Sequence, residues 1–145
     1  MSVVKDVKSN ISLNQTIVPV VATTDVTGLA VDTQPSVGVG ILAHIGLSGD
    51  TLSGSVKIEM EVQHSDASGS GFVACADADL NASVPGTNTG TFAVIDASSE
   101  DEQIYKCNYI GSKRYVKVVA NLTGTHTNGT PLSAIVVLAP TQLPA

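Results

Sequence analysis

Hydrophobic and polar residues alternate with a period of two along most of the chain, which is the pattern of strands with one buried face. In residues 55–65, SVKIEMEVQHS, Ile58 and Met60 are predicted to point inward while Glu59 and Glu61 point outward. Short runs of Ser, Thr, Gly and Asn separate such segments, as turns do. We count eight or nine short strands and no convincing helix. The sequence therefore predicts an all-β fold, an antiparallel β-sandwich of the Greek-key or jelly-roll type.

The most distinctive stretch runs from Tyr105 to Gly124, YKCNYIGSKRYVKVVANLTG. Its alternation predicts a β-hairpin with a tight turn at 111–112, and Val116 and Val118 share one face of its second arm. All three tyrosines of the protein lie in this stretch. It also holds four of the seven basic residues: Lys106, Lys113, Arg114 and Lys117.

In the first 15 residues polar and apolar side chains alternate only weakly, and these side chains contribute little apolar volume to a core. We therefore divide the chain into an extended N-terminal arm, residues 1–15, and a single β-sandwich domain, residues 16–145. Charges stand where a secretory signal would need an apolar run, and no run of about 18 apolar residues occurs. We expect synthesis in a cytoplasm and no membrane partner. In that setting Cys75 and Cys107 are predicted to be free thiols.

Two segments are predicted to matter for contacts. In residues 37–47, VGVGILAHIGL, one face carries Gly38, Gly40, His44 and Gly46 and is nearly bare, so we expect something to press close to it. Residues 77–90 form a long polar stretch, predicted to be an exposed loop on a rigid sandwich, where recognition usually occurs.

The net charge of −6 is divided unevenly along the chain. Residues 1–53 sum to −2, residues 54–104 to −8 and residues 105–145 to +4. Two interpretations follow: complementary surfaces between copies or against a charged partner, or neutralisation of the basic strands by acids within the same sheet. Four cations without a broad basic patch exclude a nucleic-acid partner.

Candidate chemistry is sparse. The three histidines have no second ligand at metal spacing, and Asp77 and Asp79 lack the remainder of a calcium loop. Glu59 and Glu61 could imitate the paired carboxylates of a glycoside hydrolase, but a charged exposed strand face explains them more simply. No nucleophile or redox motif is present in the sequence. We predict no enzymatic activity, no cofactor and no bound metal.

Two segments resemble a group of small virion proteins of tailed bacteriophages: EMEVQHSDASGSGFVACADADL and YKCNYIGSKRYVKVVANLTGT. In that group a strand ends in an acidic Ser-Asp turn followed by Phe, and a later hairpin carries Tyr-x-Gly-x-Lys/Arg-Arg-Tyr-Val. The similarity covers residues 54–139 and leaves out the arm. The hairpin motif is matched by Tyr109, Gly111, Lys113, Arg114, Tyr115 and Val116.

Some members of this group resemble capsid decoration, or cement, proteins. The resemblance implies a protein on the capsid surface of the virion that binds the major capsid protein in many copies, stabilises the head and self-associates as a homotrimer. The alternatives are a tail-tube or head–tail joining protein and a carbohydrate-binding sandwich, which the absence of Trp disfavours. The candidate interface residues are Lys106, Tyr109, Lys113, Arg114, Tyr115 and Lys117 in the hairpin, and Val3, Val4, Ile11 and Leu13 in the arm.

Overall fold

The structure, a computed structural model, describes residues 6–139 and confirms an all-β, antiparallel sandwich. It contains eleven strands in this range rather than eight or nine, because the two-residue strands Val26–Thr27 and Leu80–Asn81 are too short to show periodicity. The strands are β1 (Ser12–Ala22), β2 (Val26–Thr27), β3 (Val31–Asp32), β4 (Gly38–Ile45), β5 (Lys57–Ser65), β6 (Val73–Ala74), β7 (Leu80–Asn81), β8 (Thr91–Ile95), β9 (Gln103–Tyr109), β10 (Tyr115–Thr123) and β11 (Thr130–Ala139).

The strands form two sheets, and consecutive strands mostly alternate between them. Sheet A has the order β1-β11-β4-β9-β7. In sheet B, β10 and β5 pair along nine residues each, with β2 and β3 on the free side of β10 and β6 and β8 against β5. Strand β5 forms a short hairpin with β6 across the Ser-Asp turn, since Gln63 pairs with Ala74 and His64 with Val73.

The predicted hairpin of residues 105–124 is wrong. Strand β9 pairs with β4 and β7 in sheet A, whereas β10 pairs with β5, β2 and β3 in sheet B. The five residues 110–114 therefore form an arch that carries the chain from one sheet to the other. Alternation indicates which face of a strand is buried, but it is the same for a hairpin and for an arch.

The core lies between the sheets and is built from small aliphatic side chains. The inward prediction for β5 is confirmed, since Ile58, Met60 and Val62 are fully buried. Strand β11 is central in sheet A, between β1 and β4, with one face in the core. In residues 6–139, no helix is long and apolar enough to cross a membrane. The largest aliphatic contributions come from Ile17, Ile41, Ile45, Ile58, Met60, Ile95, Val116, Val118 and Val136.

The boundary between arm and domain lies earlier than predicted. Strand β1 begins at Ser12, and residues 12–15 pair with β11, so they belong to the sandwich. The alternation was weak because β1 is an edge strand with most side chains exposed and with register shifts around Ile17. Pro19 lies on this edge, where a missing N–H is tolerated. Of the predicted arm contacts, Val3 and Val4 lie outside the described residues.

Candidate functional site

The outer face of sheet B is closed by the loop between β7 and β8. Glu59 and Glu61 point away from the core, as predicted, but each is only 2% exposed. The expected exposed charged face is therefore wrong. The alternation shows which side of the strand these residues occupy. It does not show what covers them, because the loop, predicted to be exposed, lies 27 or 28 residues further along the chain.

Glu59 binds the covering loop through both of its oxygens. Its Oε2 accepts a hydrogen bond from the backbone N of Thr87 at 2.7 Å, and its Oε1 accepts one from the Thr87 hydroxyl at 2.9 Å. The Lys57 ammonium lies 2.8 Å from Oε1. Burial by itself would raise the pKa of Glu59, but the Lys57 and Thr87 contacts outweigh burial and lower it. Glu59 is thus a buried, ionised anchor for the loop.

Glu61 is held by three side-chain amides. Its Oε2 accepts hydrogen bonds from Asn88 at 2.8 Å and Asn121 at 2.6 Å, and its Oε1 accepts one from Gln63 at 2.9 Å. Every oxygen of the two glutamates therefore has a donor within the chain. This geometry fixes a loop and leaves no open carboxylate pair of the kind that glycoside hydrolysis uses.

The arch is organised around Tyr109, which is 5% exposed. Its hydroxyl lies 2.8 Å from Nδ1 of His64 and accepts a hydrogen bond from the backbone N of Lys113 at 3.0 Å. A Cβ at Gly111 would lie 2.5 Å from the Tyr109 hydroxyl oxygen, so only glycine fits there. The Tyr-x-Gly-x-Lys motif therefore builds the crossing between the sheets.

Arg114 forms an exposed, bidentate ion pair with Asp32 of β3. Its Nε lies 3.0 Å from Oδ1 and its Nη2 lies 2.9 Å from Oδ2, while the guanidinium is 5.2 Å from the centre of the Tyr115 ring. Asp32 reaches Arg114 because the two-residue strand β3 places it opposite Tyr115.

The two segments that resemble the virion group contact each other. Tyr109 bonds His64, Lys113 pairs with Asp66 at 2.7 Å, and the Lys117 ammonium lies 4.3 Å from the centre of the Phe72 ring. The Ser-Asp turn and the arch therefore form one structural unit. Three of the predicted interface residues of the former hairpin serve this unit, namely Tyr109, Lys113 and Lys117, whereas Arg114 and Tyr115 contact each other and β3.

We expect Arg114→Ala to leave the Tm of the free protein close to that of the wild type. Its ion pair is exposed, with 46% and 40% of the two side chains accessible, and solvent screens such pairs. Thermal melting followed by circular dichroism measures this. A loss as large as that of a core substitution would show that the pair anchors β3 and would contradict the expectation.

Acidic side chains mainly cap the turns. Nine of the 13 accept a hydrogen bond from a backbone amide of another residue. Asp50, for example, accepts from the amides of Asn128 and Gly129 and so joins two loops. Turn amides thus engage most of the acids, and two of the four cations in residues 105–145 form ion pairs within the chain: Lys113 with Asp66 and Arg114 with Asp32. The nine are Asp6, Asp25, Asp32, Asp50, Glu59, Asp77, Asp79, Glu100 and Asp101.

We expect the protein to lose stability in acid. At Asp32 a hydrogen bond from Arg114 lowers the pKa most, and at Asp50 one from the amide of Asn128 does. Because these folded pKa values lie below the ordinary ones of 3.8 for Asp and 4.5 for Glu, the unfolded chain binds protons first as the pH falls. The stabilisation is complete above the ordinary values and is lost as the pH falls through the folded ones. The pKa is lowered at Asp6, Asp32, Asp50 and Glu59.

Melting curves measured between about pH 6 and about pH 3 check this expectation. The Tm should change little down to about pH 5 and then fall steadily. An equal Tm at both ends of the range would show that the caps contribute nothing to stability.

The outer face of sheet A is open and largely apolar, in contrast to that of sheet B. Leu13 is 60% exposed and Ile104 63%, and Leu42, Ile135 and Val137 between them are half-buried. Register places these side chains on one surface, since Leu13 pairs with Val137, Ile135 with Leu42 and Leu42 with Lys106. We call this surface, formed by Leu13, Gly40, Leu42, Ile104, Lys106, Ile135 and Val137, the A face.

Two concavities lie on this side of sheet A. One, of about 390 Å³, is lined by Gly40, Leu42, Lys106 and Val137 together with Asn81, Ala82, Cys107 and Asn108. The other, of about 450 Å³, lies towards β1 and is lined mainly by apolar side chains: Pro19, Val20, Val21, Pro131 and Leu132, with His44, Gly46 and Ser133. Ile11, of the predicted arm contacts, is half-buried just before β1 and lines a separate hollow.

The cysteines and histidines do not form a reactive centre. Cys75 and Cys107 are buried free thiols, as predicted, and burial raises the pKa of each to about 12. His64 bonds Tyr109, His126 is buried in a turn and His44 is exposed on sheet A. Within residues 6–139, no three His, Cys, Asp or Glu side chains cluster so that they could hold a metal.

Comparisons of the chain with protein-family models, with curated proteins and with solved structures found no match. The function is therefore inferred from the residues and surfaces of this chain.

Proposed function

We propose that this protein is a bacteriophage capsid decoration protein. It binds the outer surface of the major capsid lattice in many copies, stabilises the head and associates as a homotrimer on the virion. The observation that carries the proposal is the difference between the two sheet faces. The outer face of sheet B is closed by its own loop, whereas the A face presents apolar side chains to solvent, which is the character of a protein contact surface.

The arch supports the proposal in a different way. The segments that resemble the virion group form the structural unit of the Ser-Asp turn and the arch. The resemblance therefore concerns residues that hold the fold together. A rigid domain with an open face suits attachment to a repeating lattice. Three linked copies bind three lattice sites at once, and avidity then compensates for a modest affinity at each site.

Virions of the phage that encodes this chain provide the test. Quantitative mass spectrometry of purified virions should find the chain at a copy number similar to that of the major capsid protein. Heads assembled without it should take up the purified protein and resist heating better afterwards. A handful of copies located at the tail or the neck would overturn the proposal and favour the tail-tube or head–tail joining role.

A further inference from the structure

We propose that the A face is the surface that docks on the shell, and that its partner there presents an apolar side chain next to a carboxylate. This inference rests on the proposed function, because it names the surface and the partner chemistry of the same attachment. Three features of the A face carry it: its single charge, a glycine that the fold does not require, and the concavity between them.

Lys106 is the only charged side chain among the strand residues on the outer face of sheet A within residues 6–139. Lys57 pairs with Glu59, and Lys113 with Asp66, whereas Lys106 forms no ion pair with any described residue. A lone ammonium that becomes enclosed by an apolar contact needs a counter-charge, because an unpaired buried charge is costly. The partner surface must therefore supply a carboxylate at this point.

Gly40 lies opposite Asn108 and Val137, two register positions from the Leu42–Lys106 pair and on the same face of the sheet. A Cβ at this position would meet its nearest neighbour, Val137, at 3.7 Å, which is an ordinary contact. At Gly111, in contrast, the Tyr109 ring excludes any side chain. Nothing within the described chain requires glycine at position 40, and bare backbone in a strand permits another molecule to approach closely.

The concavity of about 390 Å³ joins these two features, because Gly40 and Lys106 both line it together with Leu42 and Val137. An apolar side chain of the partner fits over Gly40 between the two aliphatic residues. A carboxylate beside it then reaches the Lys106 ammonium. Electrostatic pairing of this kind fixes the orientation of a contact whose area is mainly apolar.

A second copy of this chain suits the A face poorly. A two-fold contact centred on Lys106 would bring two ammonium groups together, and like charges in a contact disfavour it. Most carboxylates of this chain already accept hydrogen bonds from turn amides or pair with cations of the same chain. A second copy therefore has few unengaged carboxylates that could pair with Lys106. The contacts between the copies of the proposed trimer are therefore expected on another surface.

Binding of purified variants to heads assembled without the chain tests the inference. Ile104→Glu and Gly40→Val should each bind about tenfold more weakly or worse, because one places a charge in the apolar contact and the other fills the hollow. Lys106→Met should also weaken binding and reduce its dependence on salt. The matched control is Ile110→Glu, since Ile110 is 65% exposed, as Ile104 is at 63%, but lies on the arch. The Tm and the oligomeric state of every variant are measured first, and the Tm should equal that of the wild type.

The outcomes separate the two proposals. Weak binding of the A-face variants with normal binding of Ile110→Glu supports the docking surface. If the wild type binds heads and all variants bind equally well, the docking surface is wrong while the decoration role stands. If the wild type does not bind heads, both proposals fail. If Ile104→Glu abolishes self-association and the resulting monomer still binds, the A face joins copies of this chain, and the inference is overturned.

Discussion

Glu59→Ala is expected to lower the free energy of unfolding by about 3–5 kcal/mol, the range for removing one partner of a buried ion pair. The substitution takes away the acceptor for the backbone N and hydroxyl of Thr87 and leaves the Lys57 ammonium without its counter-charge. Buried donors without an acceptor add their own desolvation cost. Denaturant unfolding followed by circular dichroism measures the difference.

The matched control is Asp66→Ala, which also removes a carboxylate paired with a lysine, but at a site where the Asp66 side chain is 70% exposed. Its stability should stay near that of the wild type, because exposed ion pairs contribute little. Equal, small effects of Glu59→Ala and Asp66→Ala would contradict the account, since they would mean that the loop between β7 and β8 does not close over Glu59.

Tyr109→Ala is expected to cost about 3–5 kcal/mol, the usual loss for truncating a buried aromatic side chain. The ring packs under the arch against Gly111, and its hydroxyl joins His64 to the backbone of Lys113. Tyr109→Phe separates the two contributions. It retains the ring and leaves the two hydroxyl partners unsatisfied, so it should cost about 1–3 kcal/mol.

Unfolding curves of the two variants, with His44→Ala as an exposed control, distinguish a structural motif from a contact motif. If Tyr109→Ala has the stability of the wild type but fails to bind heads, then the Tyr-x-Gly-x-Lys motif is a contact surface. That result would contradict the role assigned to it in the arch.

The fold class and the buried face of a strand could be predicted from the sequence, whereas the pairing of the strands into sheets could not. The alternation in residues 55–65 gives the correct inward residues, because period two reflects only the strand itself. The pairing of β9 and β10 was wrong, because an arch and a hairpin have the same alternation. In the arch the Tyr109 ring packs against Gly111, and this contact is a three-dimensional property that the alternation does not contain.

The candidate site was only partly predictable for a related reason. The basic residues of the 105–124 stretch suggested a charged interface, but their partners Asp32, Asp66 and Phe72 come from distant strands and turns. Among the basic residues predicted for the interface, Lys106 alone remains an exposed charge without such a partner in the described chain. The bare face noted around Gly40 was the better signal, because it describes an outward strand surface and does not depend on which loop folds over it.

The central claim is that the A face lies against the capsid shell. A cryo-EM reconstruction of the virion, at a resolution that shows side chains, tests it most directly. We predict density for this domain on the outside of the head, with an apolar side chain of the shell over Gly40 and a shell carboxylate at hydrogen-bond distance from the Lys106 ammonium. A domain attached through the outer face of sheet B, with Ile104 and Lys106 exposed to solvent, would contradict the claim.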